Sequence, residues 1–203
     1  DTSGNLWITT STGGLSIREP RSGSFRNYRY QANHPGVLPT NQLTRVQVDR
    51  DGTVWIGTDG TGLLKYDAVN DRFIVFAHDG AIPSSLSQNT IRSLYEDDQG
   101  HLWIGTFLGG IDLLNRPRPS SSYFTHVTSD PSSLADRMVS CFLEDRQGRI
   151  WTGMEHGWLD LFEPESETFT HHRLPSEVPG CAALIVLHHD RRGRIWIGTY
   201  HGG

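Results

Sequence analysis

The turn that follows each repeated tryptophan segment carries the residues best suited to chemistry. It is fixed in length and free in composition: Ser11-Thr12, Asp59-Gly60, Phe107-Leu108, Glu155-His156 and Tyr200-His201. Aromatic faces at Phe107, Trp158 and Tyr200, beside the carboxylates of Asp59 and Glu155, would suit stacking on and hydrogen bonding to a sugar-like ligand. Trp158 stands where other copies place Gly14, Gly62, Gly110 and Gly203, and His156 and His201 hold matching positions one copy apart. Asp59, Phe107, Glu155, His156, Trp158, Tyr200 and His201 therefore form the candidate ligand-binding set. The competing reading is a series of solvated turns, which tolerate any residue.

Other chemistries find less support. His171-His172 and His188-His189 are adjacent pairs, and neighbouring strand residues point to opposite faces, which makes poor joint metal ligands. Asp97-Asp98 lacks the D-x-D-x-D-G frame and distal Glu of a calcium loop. No Ser-His-Asp elbow or phosphate loop occurs, so no catalytic residue, metal or cofactor is expected. Spacing alone does not test for a catalytic carboxylate pair. Cys141 and Cys181 are too few for a disulfide scaffold, have no CxxC spacing and are expected to stay unpaired. With 18 basic and 23 acidic residues the chain carries a formal charge of −5, which argues against a nucleic-acid surface. Arg191, Arg192 and Arg194 make the one dense basic run, read as a solvated hairpin. No apolar run approaches the ~18 residues of a membrane-spanning helix, so no membrane contact is expected from this segment.

The elements that must position these residues come from an internal repeat. Tryptophans fall at Trp7, Trp55, Trp103, Trp151 and Trp196, at intervals of 48, 48, 48 and 45. Each ends a phrase such as Asp97-Asp-Gln-Gly-His-Leu-Trp103, followed in most copies by Ile-Gly-Thr. Every copy reads as four short strands. The first is an apolar segment (43–48, 91–95, 139–143, 183–187), and a D-x-x-G turn follows, in which Asp caps backbone N–H groups and Gly takes a positive φ. The Trp strand comes next, then a Gly-rich turn, a third strand (62–66, 110–114) and a fourth (73–76, 169–172). Four strands per 40–50 residues, without helical periodicity, is the β-propeller blade pattern.

Val54-Trp55-Ile56-Gly57 does not alternate apolar with polar, so both faces of the Trp strand should be buried, as in stacked blades. Gly57, Gly105, Gly153 and Gly198 share a face with their Trp and should leave room for a neighbouring blade. The Trp itself is expected in the core, where burial of ~200 Å² contributes at most about 5 kcal/mol. The expected fold is all-β, an incomplete arc of about 4.2 repeats cut from a larger propeller. Its parts would be a partial blade at 1–42, full blades at 43–90, 91–138 and 139–182, and a partial blade at 183–203.

The wording Asp-x-x-Gly-x-Leu-Trp-Ile-Gly-Thr, then Gly-Gly-Leu and Tyr66-Asp67, resembles the two-component regulator propeller repeat. So does the linker from Phe124 to Leu134 leading into Cys141-Phe-Leu-Glu-Asp145. The resemblance covers the whole chain in five frames. It implies a large propeller, usually seven-bladed, outside the inner membrane, followed by a β-sandwich, a membrane span and a histidine kinase or diguanylate cyclase. Many such proteins sense oligosaccharides. Departures are Thr9 for the motif Gly, Thr152-Gly153-Met154 for Ile-Gly-Thr, Trp158 for Gly, and Arg116-Pro-Arg-Pro119 in copy three, which loses its Phe at the usual spacing. The frame is also distinct from the sialidase Asp-box, which places Asp five residues before Trp where this chain places it six before.

The resulting expectation is a non-enzymatic, ligand-sensing periplasmic segment of a membrane-anchored bacterial signalling protein. Its partners would be a small molecule or oligosaccharide, further blades and downstream domains of the same chain. The alternatives are a propeller lyase similar to streptogramin B lyases, whose repeats are shorter, and a protein-interaction platform.

Overall fold

The computed structural model describes residues 1–32, 37–115, 120–175 and 183–200. It divides into two compact units, Asp1–Ile91 and Arg92–Gly203. In the first, β1 (Leu6–Thr10), β2 (Gly14–Arg18) and β3 (Phe25–Tyr28) form an antiparallel three-stranded sheet. β4 (Leu43–Val48), β5 (Val54–Thr58), β6 (Leu63–Asp67) and β7 (Arg72–Phe76) form a four-stranded meander in sequence order. Leu15, Ile17, Leu43, Ile56, Leu64 and Phe73 fill the space between the two sheets.

The second unit repeats the meander twice. β8 (Ile91–Glu96), β9 (Leu102–Thr106), β10 (Ile111–Asn115) and β11 (Ser120–Phe124) make one sheet. β12 (Val139–Glu144), β13 (Ile150–Met154), β14 (Trp158–Glu163) and β15 (Thr168–Arg173) make the next, with a single 3₁₀ turn at Glu155–Gly157. β16 (Leu184–His189) and β17 (Ile195–Thr199) form a two-stranded sheet. Within the second unit the first strand of each following sheet lies against the Trp strand of the sheet before it: β12 contacts β9, and β16 contacts β13. That is the stacking of propeller blades, and the all-β, four-stranded-blade expectation holds.

The motif glycines explain the stacking. A Cβ on Gly57 would meet Ile91 at 2.9 Å, one on Gly105 would meet Val139 at 2.7 Å, and one on Gly153 would meet Leu184 at 3.1 Å. Each glycine is thus the hollow that receives the first strand of the following sheet. Among the described residues Gly198 faces only Val186 of its own hairpin. Correspondingly Trp55 and Trp103 are buried at 4% and 2% exposure, whereas Trp196 is 57% exposed. The expectation of a core tryptophan therefore fails at Trp196, whose ring lies beneath the Arg194 guanidinium at 5.3 Å and stays largely exposed among the described residues.

The six-residue spacing from Asp to Trp has a physical cause that the sequence alone did not reveal. In every copy the Asp carboxylate accepts the indole Nε1–H of its Trp, at 2.8 Å for Asp1–Trp7, 2.9 Å for Asp49–Trp55, 2.8 Å for Asp97–Trp103, 3.0 Å for Asp145–Trp151 and 3.2 Å for Asp190–Trp196. The other oxygen caps the turn: Asp97 Oδ1 accepts the N–H groups of Gln99 (3.0 Å) and His101 (2.8 Å). A polar tip that would otherwise be stranded in a packed interface is satisfied by the same side chain that ties the hairpin.

These bonds set a pH dependence. The backbone N–H of Arg194, followed by the Arg194 side chain and Trp196, lowers the Asp190 pKa from the ordinary 3.8 to about 2. Asp145 is also held below its usual range; burial pushes it up, but Arg149 and Trp151 outweigh that. A carboxyl with a depressed folded pKa binds fewer protons folded than unfolded. Its contribution is present above 3.8 and lost as pH falls through the folded value. The thermal midpoint should therefore drop between pH 4 and 2, and Asp190→Asn should flatten that slope; an identical slope in the variant would refute the assignment.

Copy three keeps its fourth strand despite the displaced Phe. Phe124 packs edge-on against Phe162 (5.2 Å) and Phe169 (5.6 Å), serving the core from the end of β11. Arg116–Pro119 lies outside the described residues. Gly110 shows how little slack the third-strand turn has: φ is +90°, and an added Cβ would overlap the carbonyl oxygen of Phe124. Gly110→Ala is expected to cost at least about 2 kcal/mol, because both the backbone conformation and the space forbid it. The urea midpoint, followed by far-UV circular dichroism, reads this directly, and an unchanged midpoint would contradict it.

Candidate ligand-binding rim

The turn after each Trp strand is tied to the loop that enters the same sheet. In the first unit Asp59 N–H donates to Gln42 O (3.0 Å) and Gly62 N–H to Asn89 O (2.8 Å). Thr90 Oγ1 donates to Asp59 Oδ1 at 3.1 Å, so this exposed carboxylate already has a partner.

In the second unit two turns converge on one segment. Gly110 N–H, at the end of the β9–β10 turn, donates to Arg137 O (3.0 Å), and Glu155 N–H donates to Met138 O (3.2 Å). Asp136 Oδ1 accepts Met138 N–H (3.0 Å), and its Oδ2 lies 2.7 Å from His156 Nδ1. The segment 136–138 is thereby pinned between the turn bearing Phe107 and the turn bearing Glu155 and His156. The Phe107 ring lies half-buried under the Arg92 guanidinium at 4.8 Å. His156 is 66% exposed at the side chain, and with Nδ1 on Asp136 its Nε2 is the remaining polar atom of the ring.

Backbone geometry singles out the same positions. In the second, third and fourth copies the second residue of the turn is left-handed, a conformation that Gly60 adopts at φ +91° without steric cost. Leu108 and His156 adopt it at +76° and +59°. For residues with a Cβ this costs on the order of 1–2 kcal/mol each. Two costly side chains thus stand where glycine is the least strained choice.

Trp158 is placed differently. The left-handed glycine of this turn is Gly157 (φ +80°), one residue earlier than Gly62 or Gly110 in their copies. Residue 158 is then extended (φ −90°, ψ 137°) and opens strand β14. Its half-buried ring packs on the core cluster around Phe142 and Met154, edge-on to His171 at 6.2 Å and beneath the Arg173 guanidinium at 4.9 Å. Tyr200, 58% exposed, follows β17 and donates its N–H to Ala183 O (2.9 Å). His201 lies outside the described residues. Within the second unit the turns bearing Phe107 and bearing Glu155 and His156 are thus tied to one segment, whereas Trp158 and Tyr200 have other partners.

Arg92, Arg137 and above all Asp136 were not found by sequence reasoning. Asp136 matches Thr40 and Gln88 by the 48-residue period. Thr40 caps a backbone N–H two residues on, as Asp136 does. The readable signal was that, of these three positions, the one facing His156 carries a carboxylate. Among the described residues no group of three or more His, Cys, Asp or Glu could hold a metal ion. Cys141 is buried, with its thiol 3.4 Å from Leu184 O, and Cys181 lies outside the described residues. Among the described residues no helix is long and apolar enough to cross a membrane.

The family model described as "Two component regulator propeller" matches residues 37–60, 85–107 and 133–156. Three segments of the chain thus match the two-component regulator propeller repeat. Each matched segment runs from the entering loop through the first strand and the Trp strand. It ends in the rim turn, at Gly60, Phe107 or His156. No curated protein matches the chain in sequence. Among solved structures, the extracellular domain of the hybrid two component system BT3049 from B. thetaiotaomicron is similar at 25% identity and a TM-score of 0.74. It is covered over 24% of its length by 96% of this chain. The corresponding domain of BT4673 from the same organism gives 22% identity and 0.75, with 98% of this chain on 27% of that one. Virginiamycin B lyase from Staphylococcus aureus shares the fold at 13% identity and 0.70, over 97% of this chain and 60% of its own. The chain spans about a quarter of the two B. thetaiotaomicron domains.

Proposed function

We propose that this chain is a ligand-responsive segment of the extracytoplasmic sensor propeller of a membrane-anchored two-component signalling protein. The regulator repeats and the likeness to extracellular domains of such systems support the sensor reading. The observation that carries ligand binding is the rim of the second unit, where segment 136–138 is pinned by two turns and lined by Phe107, Arg92, Glu155 and the Asp136–His156 pair. An aromatic face next to alternating donors and acceptors is suited to a polyhydroxylated ligand such as an oligosaccharide. Left-handed Leu108 and His156 fit this reading, since backbone strain is retained where a side chain must be presented.

Binding would bias how the propeller packs on the rest of its protein, shifting a two-state equilibrium. Screening a carbohydrate library by thermal stability tests the proposal. A binder at a hundredfold excess over its Kd should add about 2.7 kcal/mol. His156→Gln and Asp136→Asn should remove most of that gain. Turnover of a library member, or a gain untouched by both variants, would overturn the reading in favour of an enzyme or a different site.

A further inference from the structure

At the other end of β13 from the rim, the D-x-x-G turns of successive repeats meet in pairs. Between the third and fourth repeats the pair is closed by its own bonds. Tyr95 OH and Asp98 N–H both donate to Glu144 Oε2, at 3.1 and 3.0 Å. The residue 48 beyond Asp98 is Arg146, and the residue 45 beyond Glu144, across the shortened last interval, is His189. The next junction therefore replaces two carboxylates by a guanidinium and an imidazole.

A cleft of about 280 Å³ opens at that junction, lined by Asp145, Arg146, Gln147, Arg149, Trp151 and His189. Its carboxylate is already engaged. Asp145 Oδ1 accepts the N–H groups of Gln147 and Arg149 (2.9 and 3.1 Å), and Oδ2 accepts Arg149 Nε and Trp151 Nε1 (2.8 and 3.0 Å). Arg146 is fixed in place by donating through Nη2 to the backbone carbonyls of Asp190 (3.2 Å) and Arg191. Arg149 lies 5.7 Å above the Trp151 ring, which gives the cleft a flat apolar wall. The lining holds more N–H donors than acceptors; the Arg146 guanidinium is held by backbone carbonyls and that of Arg149 by the Asp145 carboxylate.

We propose that this cleft is an oxyanion site, taking the carboxylate or sulfate group of a small ligand on Arg146 and His189 with Trp151 as its wall. Preorganised guanidinium groups bind such groups through charge-assisted, often paired hydrogen bonds. The volume lies at the lower end of small-molecule pockets, so it suits one compact group. The site is separate from the rim and stands whether or not the rim binds sugar.

The full chain, labelled with ¹⁵N, is titrated with acetate and, separately, with inorganic sulfate, at ionic strength held constant with sodium chloride. The indole N–H signal of Trp151 should shift saturably with at least one of them, and the ligand class follows from which binds tighter. Arg146→Gln should weaken binding at least tenfold, His189→Gln should weaken it to a lesser degree, and Arg146→Lys should fall between wild type and Arg146→Gln. Arg146 is exposed and His189 half-exposed, and far-UV circular dichroism reports whether each of the three variants folds. A shift that does not saturate, or one that is the same in Arg146→Gln and His189→Gln, would overturn the proposal.

Discussion

Trp103→Ala is expected to destabilise the chain by about 4 kcal/mol, in the range for removing a fully enclosed large aromatic side chain. The ring is 2% exposed and packs against Phe142 (6.0 Å) and Phe162 (5.1 Å), so the neighbours form the walls of a cavity with little freedom to collapse. The loss includes the Nε1–H bond to Asp97. Trp103→Phe keeps most of the apolar volume and isolates that bond, at about 1–2 kcal/mol. Trp196→Ala is the internal control. The same motif residue is 57% exposed there, so its removal should cost less than about 1 kcal/mol. Urea unfolding followed by far-UV circular dichroism separates the three, since near-equal losses at Trp103 and Trp196 would show that the motif acts through its hydrogen bond and not through packing.

That contrast marks the boundary of what sequence could reveal. Strand order, turn chemistry and the burial of Trp55 and Trp103 were legible because each is a local property repeated at a fixed period. The role of Gly57, Gly105 and Gly153 was legible too, since only a close approach explains a glycine at a strand position between bulky neighbours. What sequence did not show was how identical motifs meet different neighbours. Trp196 has the same phrase as Trp103 but a largely exposed ring. Trp158 read as a side chain displacing a turn glycine, yet the glycine conformation had moved to Gly157 and released position 158 to open a strand. The Asp136–His156 pair joins residues 20 apart, one of them in a loop where no periodic pattern points.

Asp160→Ala should produce the second large loss, about 3 kcal/mol, and it should reach the rim. Asp160 is fully buried on β14, at the position that Leu64 and Asp112 hold in earlier copies. Its Oδ2 accepts Ala135 N–H (2.8 Å) and its Oδ1 lies 2.8 Å from His171 Nδ1, while His171 Nε2 lies 2.8 Å from Pro131 O. Both ring nitrogens of His171 thus face acceptors. The pair clasps the loop that ends in the rim segment 136–138. Removing the carboxylate strands a half-buried amide and an imidazole together, the costly way to break such a pair. Asp160→Asn retains an acceptor for Ala135 N–H and should cost about half as much. Burial raises the Asp160 pKa, offset in part by Ala135 and His171. This carboxyl therefore favours the fold most below 3.8 and loses that advantage as pH rises through its folded value, opposite in sign to Asp190. Two readings test the clasp: the urea midpoint, and amide exchange at Ala135 and Met138, which should accelerate in Asp160→Ala while the β4–β7 sheet stays protected. A midpoint change below about 0.5 kcal/mol, or exchange that rises evenly across the chain, would show that loop 131–138 is held by something other than this pair.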